Sequence, residues 1–178
     1  LNLAMLGKQA VTNAVIALAV VEHQNQFSVS WEQRSKALRS VVIPGRLQRL
    51  QESPLVYYDV AHNYDGLRNL LQNLRTFYPE KPLSVLVNLK VDKDISRFRD
   101  LFAPDANISI LDIPEVEMHT AETWQSVLGK RRSRYLGTGR AAIEEFLRQI
   151  SETEVGIITG SHYMASTVYE VFNFFLDT

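Results

Sequence analysis

The sequence predicts an α/β fold in which a mostly parallel sheet is covered by helices on both faces. From about residue 43 onward, short apolar segments alternate with amphipathic ones, as strands alternate with crossover helices. The run Val41-Val42-Ile43-Pro44-Gly45 ends the purely helical pattern that comes before it. Hydrophobic residues make up 46% of the 178 residues, enough to bury a core. We therefore expect one doubly wound domain, preceded by helices.

Two helices are predicted ahead of this domain. Residues 9–22 are almost continuously apolar, which predicts a helix that is buried on most sides and needs partners to cover it. Residues 30–39 predict an amphipathic helix, with Ser30 as its N-cap and Gln33 completing a capping box. Two helices cannot form a core alone, so we place a boundary near residue 42 and divide the chain into residues 1–42 and 43–178. The first residue is Leu1 rather than Met, and we expect the chain to be part of a longer protein.

The elements of the second part follow from its alternating pattern. Short apolar runs predict five strands, at residues 55–59, 84–89, 108–111, 133–136 and 156–159. Amphipathic segments predict five helices, at residues 66–78, 95–101, 121–128, 139–150 and 163–176. Thr138 is expected to cap the helix that follows it, because a full G-x-G-x-x-G motif is absent around it.

Composition excludes several classes of function. Nineteen Lys and Arg against twenty Asp and Glu leave a formal net charge of -1, so we expect neither a nucleic acid nor a membrane as partner. The basic cluster at residues 130–134 is either a solvated helix end or a phosphate contact. No apolar run approaches the roughly 20 residues of a membrane span. Cysteine is absent, which excludes disulfides and thiolate metal sites and is compatible with the cytoplasm, where we expect the protein.

Three loops are expected to carry the functional residues. In a doubly wound sheet, ligands bind at the carboxyl ends of the strands. The loops that leave those ends are Asp59-Val60-Ala61-His62-Asn63, Lys90-Val91-Asp92-Lys93-Asp94 and Gly160-Ser161-His162.

The first and third loops offer specific chemistry. The Asp59 carboxylate can accept hydrogen bonds from ribose hydroxyls, and the His62 imidazole can donate to an anionic substrate or assist proton transfer. The alternative is that Asp59 and Asn63 only cap the next helix. Ser161 follows a glycine at a helix N-terminus, which is either an anion site or a plain N-cap.

Other candidates have two interpretations as well. Arg46 follows Pro-Gly in a tight connection and is either a phosphate contact or a surface arginine. The alternating charges of residues 90–94 indicate either phosphate or metal binding or a solvated turn. Asn13, within the apolar helix, needs a partner, either a ligand or a backbone carbonyl. His119 has no companion in sequence and is given no role, and no G-x-x-x-x-G-K-[ST] phosphate loop is present.

Taken in order, these motifs resemble the C-terminal part of folylpolyglutamate synthase and dihydrofolate synthase, in the Mur ligase superfamily. Pro44-Gly45-Arg46-Leu47-Gln48 resembles the family's P-G-R-[LF]-[EQ], and Asp59-Val60-Ala61-His62-Asn63 its D-G-A-H-N. Asp92-Lys93-Asp94 is similar to its D-K-D, and Gly160-Ser161-His162-Tyr163 to its G-S-L-Y. Gly7, Asn13 and Ala14 match its G-x-H-Q-x-x-N-A. The sequence departs from the family at Gln9-Ala10, which replace His-Gln, and at Val60, which replaces glycine.

The resemblance implies different roles for the two parts of the chain. Residues 43–178 would be a Rossmann-like C-terminal domain, and residues 1–42 the closing helices of a central ATPase domain that is otherwise missing. Asn13, Arg46 and Asp59 would contact ATP, while His62 and Ser161 would lie near the incoming glutamate and His62 would take part in catalysis. The phosphate loop and the Mg²⁺ ligands would belong to the missing N-terminal region, so this chain alone is expected to be inactive.

The resemblance also implies an ATP-dependent ligase that joins glutamate to a pteroate or a folate. The first alternative is a Mur ligase that acts on peptidoglycan precursors. The second is a nucleotide-binding module without catalysis.

Overall fold

A computed structural model describes residues 2–24, 26–104, 106–129 and 133–174. The chain divides into two compact units, Leu1–Gln48 and Arg49–Thr178. Lys130, Arg131 and Arg132 of the basic cluster lie outside the described residues. No helix in the described part of the chain is long and apolar enough to cross a membrane.

The first unit contains both predicted helices. Helix α1 is Lys8–His23 and helix α2 is Trp31–Ser40. The predicted capping box is present, since the Ser30 hydroxyl accepts from Gln33 N at 3.2 Å and Gln33 Oε1 accepts from Ser30 N at 2.8 Å. The prediction that α1 is buried on most sides is wrong for this chain, because Ala10 is its only buried residue and Val15 is 59% exposed. The apolar sequence of α1 therefore lacks a cover within the described structure.

A six-stranded sheet forms the centre of the second unit, in the order β1-β2-β6-β3-β4-β5. Pairing is parallel between β2 and β6, β6 and β3, β3 and β4, and β4 and β5, which confirms the predicted mostly parallel sheet. The strands are β1 Gln48–Glu52, β2 Leu55–Asp59, β3 Leu83–Val87, β4 Asn107–Asp112, β5 Ser133–Thr138 and β6 Val155–Thr159. Strand β1 was not predicted, because its sequence of Gln, Arg, Leu, Gln and Glu contains a single apolar residue.

Helices flank the sheet at or near the predicted places. They are α3 Tyr64–Phe77, α4 Ala121–Leu128, α5 Gly139–Gln149 and α6 Ala165–Val171. The helix predicted over residues 95–101 is instead a 3-10 turn, Phe98–Leu101, and the one predicted from residue 163 begins as a 3-10 turn, His162–Met164, before α6. Thr138 lies at the predicted N-cap position of α5. Its side chain makes no capping hydrogen bond, so the prediction is correct for the position and wrong for the hydrogen bond.

Burial is greatest where the sheet meets its helices. All residues of β3 and β6 are buried, as expected for parallel strands covered on both faces. One cluster of buried side chains joins the sheet to α5 and α6, and includes Tyr58, Phe146 and Val168. Because β6 lies between β2 and β3, the loops that leave these three strands are neighbours at the carboxyl edge of the sheet.

Candidate active-site cleft

The three predicted loops line one cleft of about 190 Å³ in the second unit. His62 comes from the first loop, Lys90, Asp92 and Lys93 from the second, and residues 160–163 from the third. The order β2-β6-β3 explains this convergence, since each loop leaves the carboxyl end of one of three adjacent strands. The cleft therefore occupies the edge of the sheet where ligands bind in this class of fold.

Two backbones approach each other closely at Gly160, which lines the cleft. Gly160, directly after β6, has a φ of 118°, which residues with a side chain rarely adopt. A Cβ atom built on Gly160 would lie 1.9 Å from the carbonyl oxygen of Asn88, directly after β3. Only glycine fits at this position.

The Asn88 side chain links the end of β3 to β4, to α4 and to the backbone of His119 by hydrogen bonds. Its side chain is fully buried, and its Oδ1 accepts hydrogen bonds from Leu89 N at 2.7 Å and Trp124 Nε1 at 2.8 Å. Its Nδ2 lies 2.6 Å from the carbonyl oxygen of Leu111 and 3.1 Å from that of His119. A buried amide with partners on both ends fixes the backbone around it.

The second loop is held in place by His119. The ring nitrogen Nε2 of His119 donates to the carbonyl oxygen of Lys93 at 2.7 Å, and its backbone N–H donates to Leu89 O at 2.9 Å. Lys90 and Met118 form an antiparallel bridge beside it. No role could be assigned to His119 from the sequence, because its spacing gave no sign that residues 117–119 return to this loop.

Ser161 is the N-cap of the 3-10 turn that follows it, and its backbone is held by Tyr58. It is 3% exposed, its hydroxyl accepts from Tyr163 N at 3.2 Å, and its carbonyl oxygen accepts from the buried Tyr58 hydroxyl at 3.1 Å. Burial raises the pKa of the Tyr58 hydroxyl above its ordinary value, so Tyr58 remains a donor at neutral pH. The N-cap interpretation of Ser161 is therefore confirmed. The hydroxyl accepts in this cap, and its hydrogen remains able to donate to a ligand.

His62 is exposed and lines the same cleft. Its Nδ1 donates to the carbonyl oxygen of Val60 at 3.0 Å, a contact that selects the tautomer with hydrogen on Nδ1. In the neutral ring, Nε2 is then the nitrogen that can accept a proton or a hydrogen bond.

Asp59 and Asn63 differ in role although they share a loop. Asn63 is the N-cap of α3, where its Oδ1 accepts from Gly66 N at 2.8 Å. Asp59 lies four residues before Asn63, and its Oδ1 accepts from Ala61 N at 2.8 Å within the loop. Asp59 is half-buried and lies outside the lining of the cleft. The helix-cap interpretation is thus correct for Asn63 alone.

The charges of the second loop are partly compensated. Lys93 Nζ lies 3.2 Å from Asp92 Oδ2, and this hydrogen bond is the main cause that lowers the pKa of the Asp92 carboxyl. The backbone N–H of Ser96 donates to Asp94 Oδ1 at 2.9 Å and lowers the pKa of Asp94 in the same way. Within the described part of the chain, no group of three or more His, Asp or Glu side chains could hold a metal ion.

The remaining candidates lie in the first unit. Asn13 is exposed on α1, and its Oδ1 accepts from Gln9 Nε2 at 3.0 Å rather than from a buried partner. Arg46 is exposed and follows Gly45, whose N–H donates to Gln48 Oε1 at 2.9 Å in the predicted tight connection.

Besides His119, sequence reasoning missed two residues of this site. Asn88 ends an apolar run, and a polar residue at that place was the available signal for a buried hydrogen-bonding residue. His162 lines the cleft and stacks on Tyr163, with ring centroids 4.2 Å apart, although only Ser161 was singled out in that loop.

The sheet, its carboxyl-edge cleft and the loops that line it define a doubly wound α/β domain with a candidate ligand cleft. The chain belongs to the Mur ligase family, since the model of the "Mur ligase, glutamate ligase domain" matches residues 45–162.

Individual relatives agree with this assignment. The chain is 25% identical over 172 residues to folylpolyglutamate synthase of Lacticaseibacillus casei, a match that covers 94% of this chain and 39% of that protein. It is 41% identical over 73 residues to the UDP-N-acetylmuramoyl-L-alanyl-D-glutamate–L-lysine ligase of Enterococcus faecalis, covering 40% of this chain and 14% of that protein. The chain thus spans well under half the length of these relatives.

Solved structures share the fold. Mycobacterium tuberculosis folylpolyglutamate synthase, complexed with ADP and AMPPCP, superposes with a TM-score of 0.81 at 24% identity, covering 96% of this chain and 41% of that one. The Thermotoga maritima enzyme gives a TM-score of 0.81 at 19% identity, covering 96% of this chain and 40% of that one. The chain therefore has the fold of a part of these enzymes, and the family model that matches residues 45–162 confirms the predicted Mur ligase superfamily.

Proposed function

We propose that this chain is the C-terminal part of an ATP-dependent ligase that joins glutamate to a pteroate or a folate, and that its cleft binds the glutamate. The observation that carries the proposal is the convergence of three loops, with two lysines and two histidines, on one small cleft. The match over 94% of the chain to a folylpolyglutamate synthase supports the choice of reaction.

The volume of the cleft favours an amino acid over a nucleotide. Pockets for drug-sized ligands usually measure roughly 300–1,000 Å³. At about 190 Å³ this cleft is smaller than that range, and its lining is rich in groups that bind carboxylates. The nucleotide is therefore assigned to residues outside the cleft.

Within the cleft, His62 and Ser161 take complementary roles. The Ser161 hydroxyl donates to a carboxylate of glutamate, and His62 Nε2 accepts from its amine. In the proposed reaction, a carboxylate oxygen of the acceptor attacks the γ-phosphorus of ATP and ADP leaves. The amine nitrogen then attacks the acyl carbon, inorganic phosphate departs as the C–O bond breaks, and His62 takes the proton lost by the amine.

Outside the cleft, Asp59 is assigned to the ribose of ATP. Asp59 ends β2 at the carboxyl edge of the sheet, where its carboxylate is of the kind that accepts hydrogen bonds from ribose hydroxyls. The resemblance to folylpolyglutamate synthase assigns Arg46 and Asn13 to ATP as well. By that resemblance, residues 1–42 are the closing helices of a central ATPase domain. The resemblance assigns the Mg²⁺ ligands of such a ligase to the N-terminal region.

The local similarity to the Enterococcus faecalis lysine ligase supports a second candidate, a ligase for peptidoglycan precursors. The two candidates differ in the amino acid that the cleft receives. Lys90 lines the cleft, and its ammonium would repel the side chain of an incoming lysine and attract that of glutamate. This charge favours the glutamate ligase.

A hybrid enzyme tests the proposal. This chain would replace the matching region of Lacticaseibacillus casei folylpolyglutamate synthase, and incorporation of labelled glutamate or lysine into a folate acceptor would be measured. Glutamate incorporation that is abolished by His62→Leu supports the proposal, and preferred lysine incorporation supports the second candidate. A folded hybrid that incorporates neither supports a module without catalysis. The 178-residue chain alone should release no phosphate from ATP.

A further inference from the structure

One side of the cleft carries the Lys90 ammonium, whose charge favours glutamate in the proposal above. The Lys90 ammonium lies 5.6 Å from the centroid of the Tyr163 ring, within cation–π distance. The His162 ring packs on the same tyrosine with an interplanar angle of 32°. An ammonium and an imidazole are therefore held against one aromatic ring at the edge of the cleft.

The charges on this side are suited to an anion. Lys93 is paired with Asp92, so these two groups largely compensate each other. Lys90 has no direct ion pair among the residues that the structure describes, although its charge also helps to lower the pKa of the Asp92 carboxyl. Its contact with Tyr163 restrains the ammonium without neutralising it, and His162 adds a ring nitrogen that can donate a hydrogen bond.

The spacing of the strands sets the distance between the two sides. His62 follows β2 and Lys90 follows β3, with β6 between them. Two inter-strand spacings amount to roughly 10 Å, so a ligand that reaches both sides must carry polar groups at its two ends. An α-amino dicarboxylic acid is such a ligand, with its amine at one end and its side-chain carboxylate at the other.

We infer that Lys90 and His162 bind the side-chain carboxylate of the incoming amino acid and so select a dicarboxylic substrate. This inference rests on the proposed function, which places the amine at His62. It adds a specificity-determining pair in which His162 stands where the resembled motif has leucine. A site built to bind a charged group rejects an analogue that lacks it, because its own polar groups are then left unpaired.

The test is to titrate the ¹⁵N-labelled 178-residue chain with L-glutamate and with L-glutamine. The chemical-shift changes give the affinity for each ligand. The two ligands have nearly the same shape and differ in the charge of the side chain. We expect glutamate to bind roughly tenfold more tightly than glutamine. Lys90→Met should remove this preference by weakening glutamate alone, and His162→Leu should reduce it. Lys81→Met is the matched control, because Lys81 precedes β3 at the opposite edge of the sheet, and it should keep the preference.

Each outcome bears on a different claim. Equal affinity for both ligands in the wild-type chain, or equal weakening of both by Lys90→Met, overturns the inference and leaves the cleft as the amino-acid site. Binding of neither ligand, or shifts confined to residues outside the three loops, overturns the proposed function as well.

Discussion

The carbonyl oxygen of Asn88 occupies the place where Gly160 would carry its Cβ, only 1.9 Å from that position. This contact joins the ends of β3 and β6 and brings two of the three loops of the cleft together. The Asn88 side chain continues the connection to Trp124 of α4. The shape of the cleft thus depends on one glycine and one buried amide, neither of which touches the ligand in our account.

Gly160→Ala should be strongly destabilising. The variant must accommodate both a strained φ and the overlap with Asn88 O, whereas Gly137→Ala, at a φ of 101° with no atom within 4 Å, has only the strain. Backbone strain of this kind costs about 1–3 kcal/mol. Overpacking should add about 1–3 kcal/mol or more for Gly160→Ala alone. Urea denaturation of both variants measures the difference, and equal losses would show that the close approach is not rigid.

Trp124→Phe should weaken the anchoring of Asn88. The variant keeps an aromatic ring but removes the donor to Asn88 Oδ1, which should cost about 1–3 kcal/mol. Asn88→Leu should cost more, because it also leaves the Trp124 indole N–H and two carbonyl oxygens without this partner. In a double-mutant cycle the two changes should be non-additive. Additive losses would mean that the indole hydrogen bond does not contribute.

Tyr58→Phe should lower the stability of the protein at neutral pH and change how that stability falls at high pH. Loss of the hydrogen bond to Ser161 O should cost about 1 kcal/mol at pH 7. The pKa of Tyr58 is raised in the folded state by burial, so the wild-type protein loses stability as the pH rises above the ordinary tyrosine value of about 10. Phenylalanine cannot ionise, and the difference between the two proteins should shrink between pH 7 and 11. A constant difference in denaturation midpoint would contradict this account of Tyr58.

The sequence was most informative where hydrophobic pattern and local chemistry agree. Leu55–Asp59 and Ala121–Leu128 have the predicted bounds, and the Ser30 capping box is present. Strand β1 escaped prediction because polar residues at the margin of a sheet leave no apolar pattern. The roles of Asn88 and His119 escaped for another reason, since their partners are distant in sequence and only the strand order brings them together. Three loops could be named from local pattern, but not the single cleft that they form.

The most direct test of the account is the steady-state kinetics of two variants of the hybrid ligase, with ATP and glutamate varied in turn. Thermal melting would first establish that both variants fold. If Asp59 holds the ribose from outside the cleft, Asp59→Ala should raise the KM for ATP by removing hydrogen bonds worth about 1.5–3 kcal/mol, a rise of roughly ten- to a hundredfold. If His62 faces glutamate within the cleft, His62→Ala should raise the KM for glutamate or lower kcat and leave the KM for ATP nearly unchanged. An effect of both variants on the KM for ATP alone, or a loss of stability with no kinetic effect, would contradict the assignment of this cleft to glutamate.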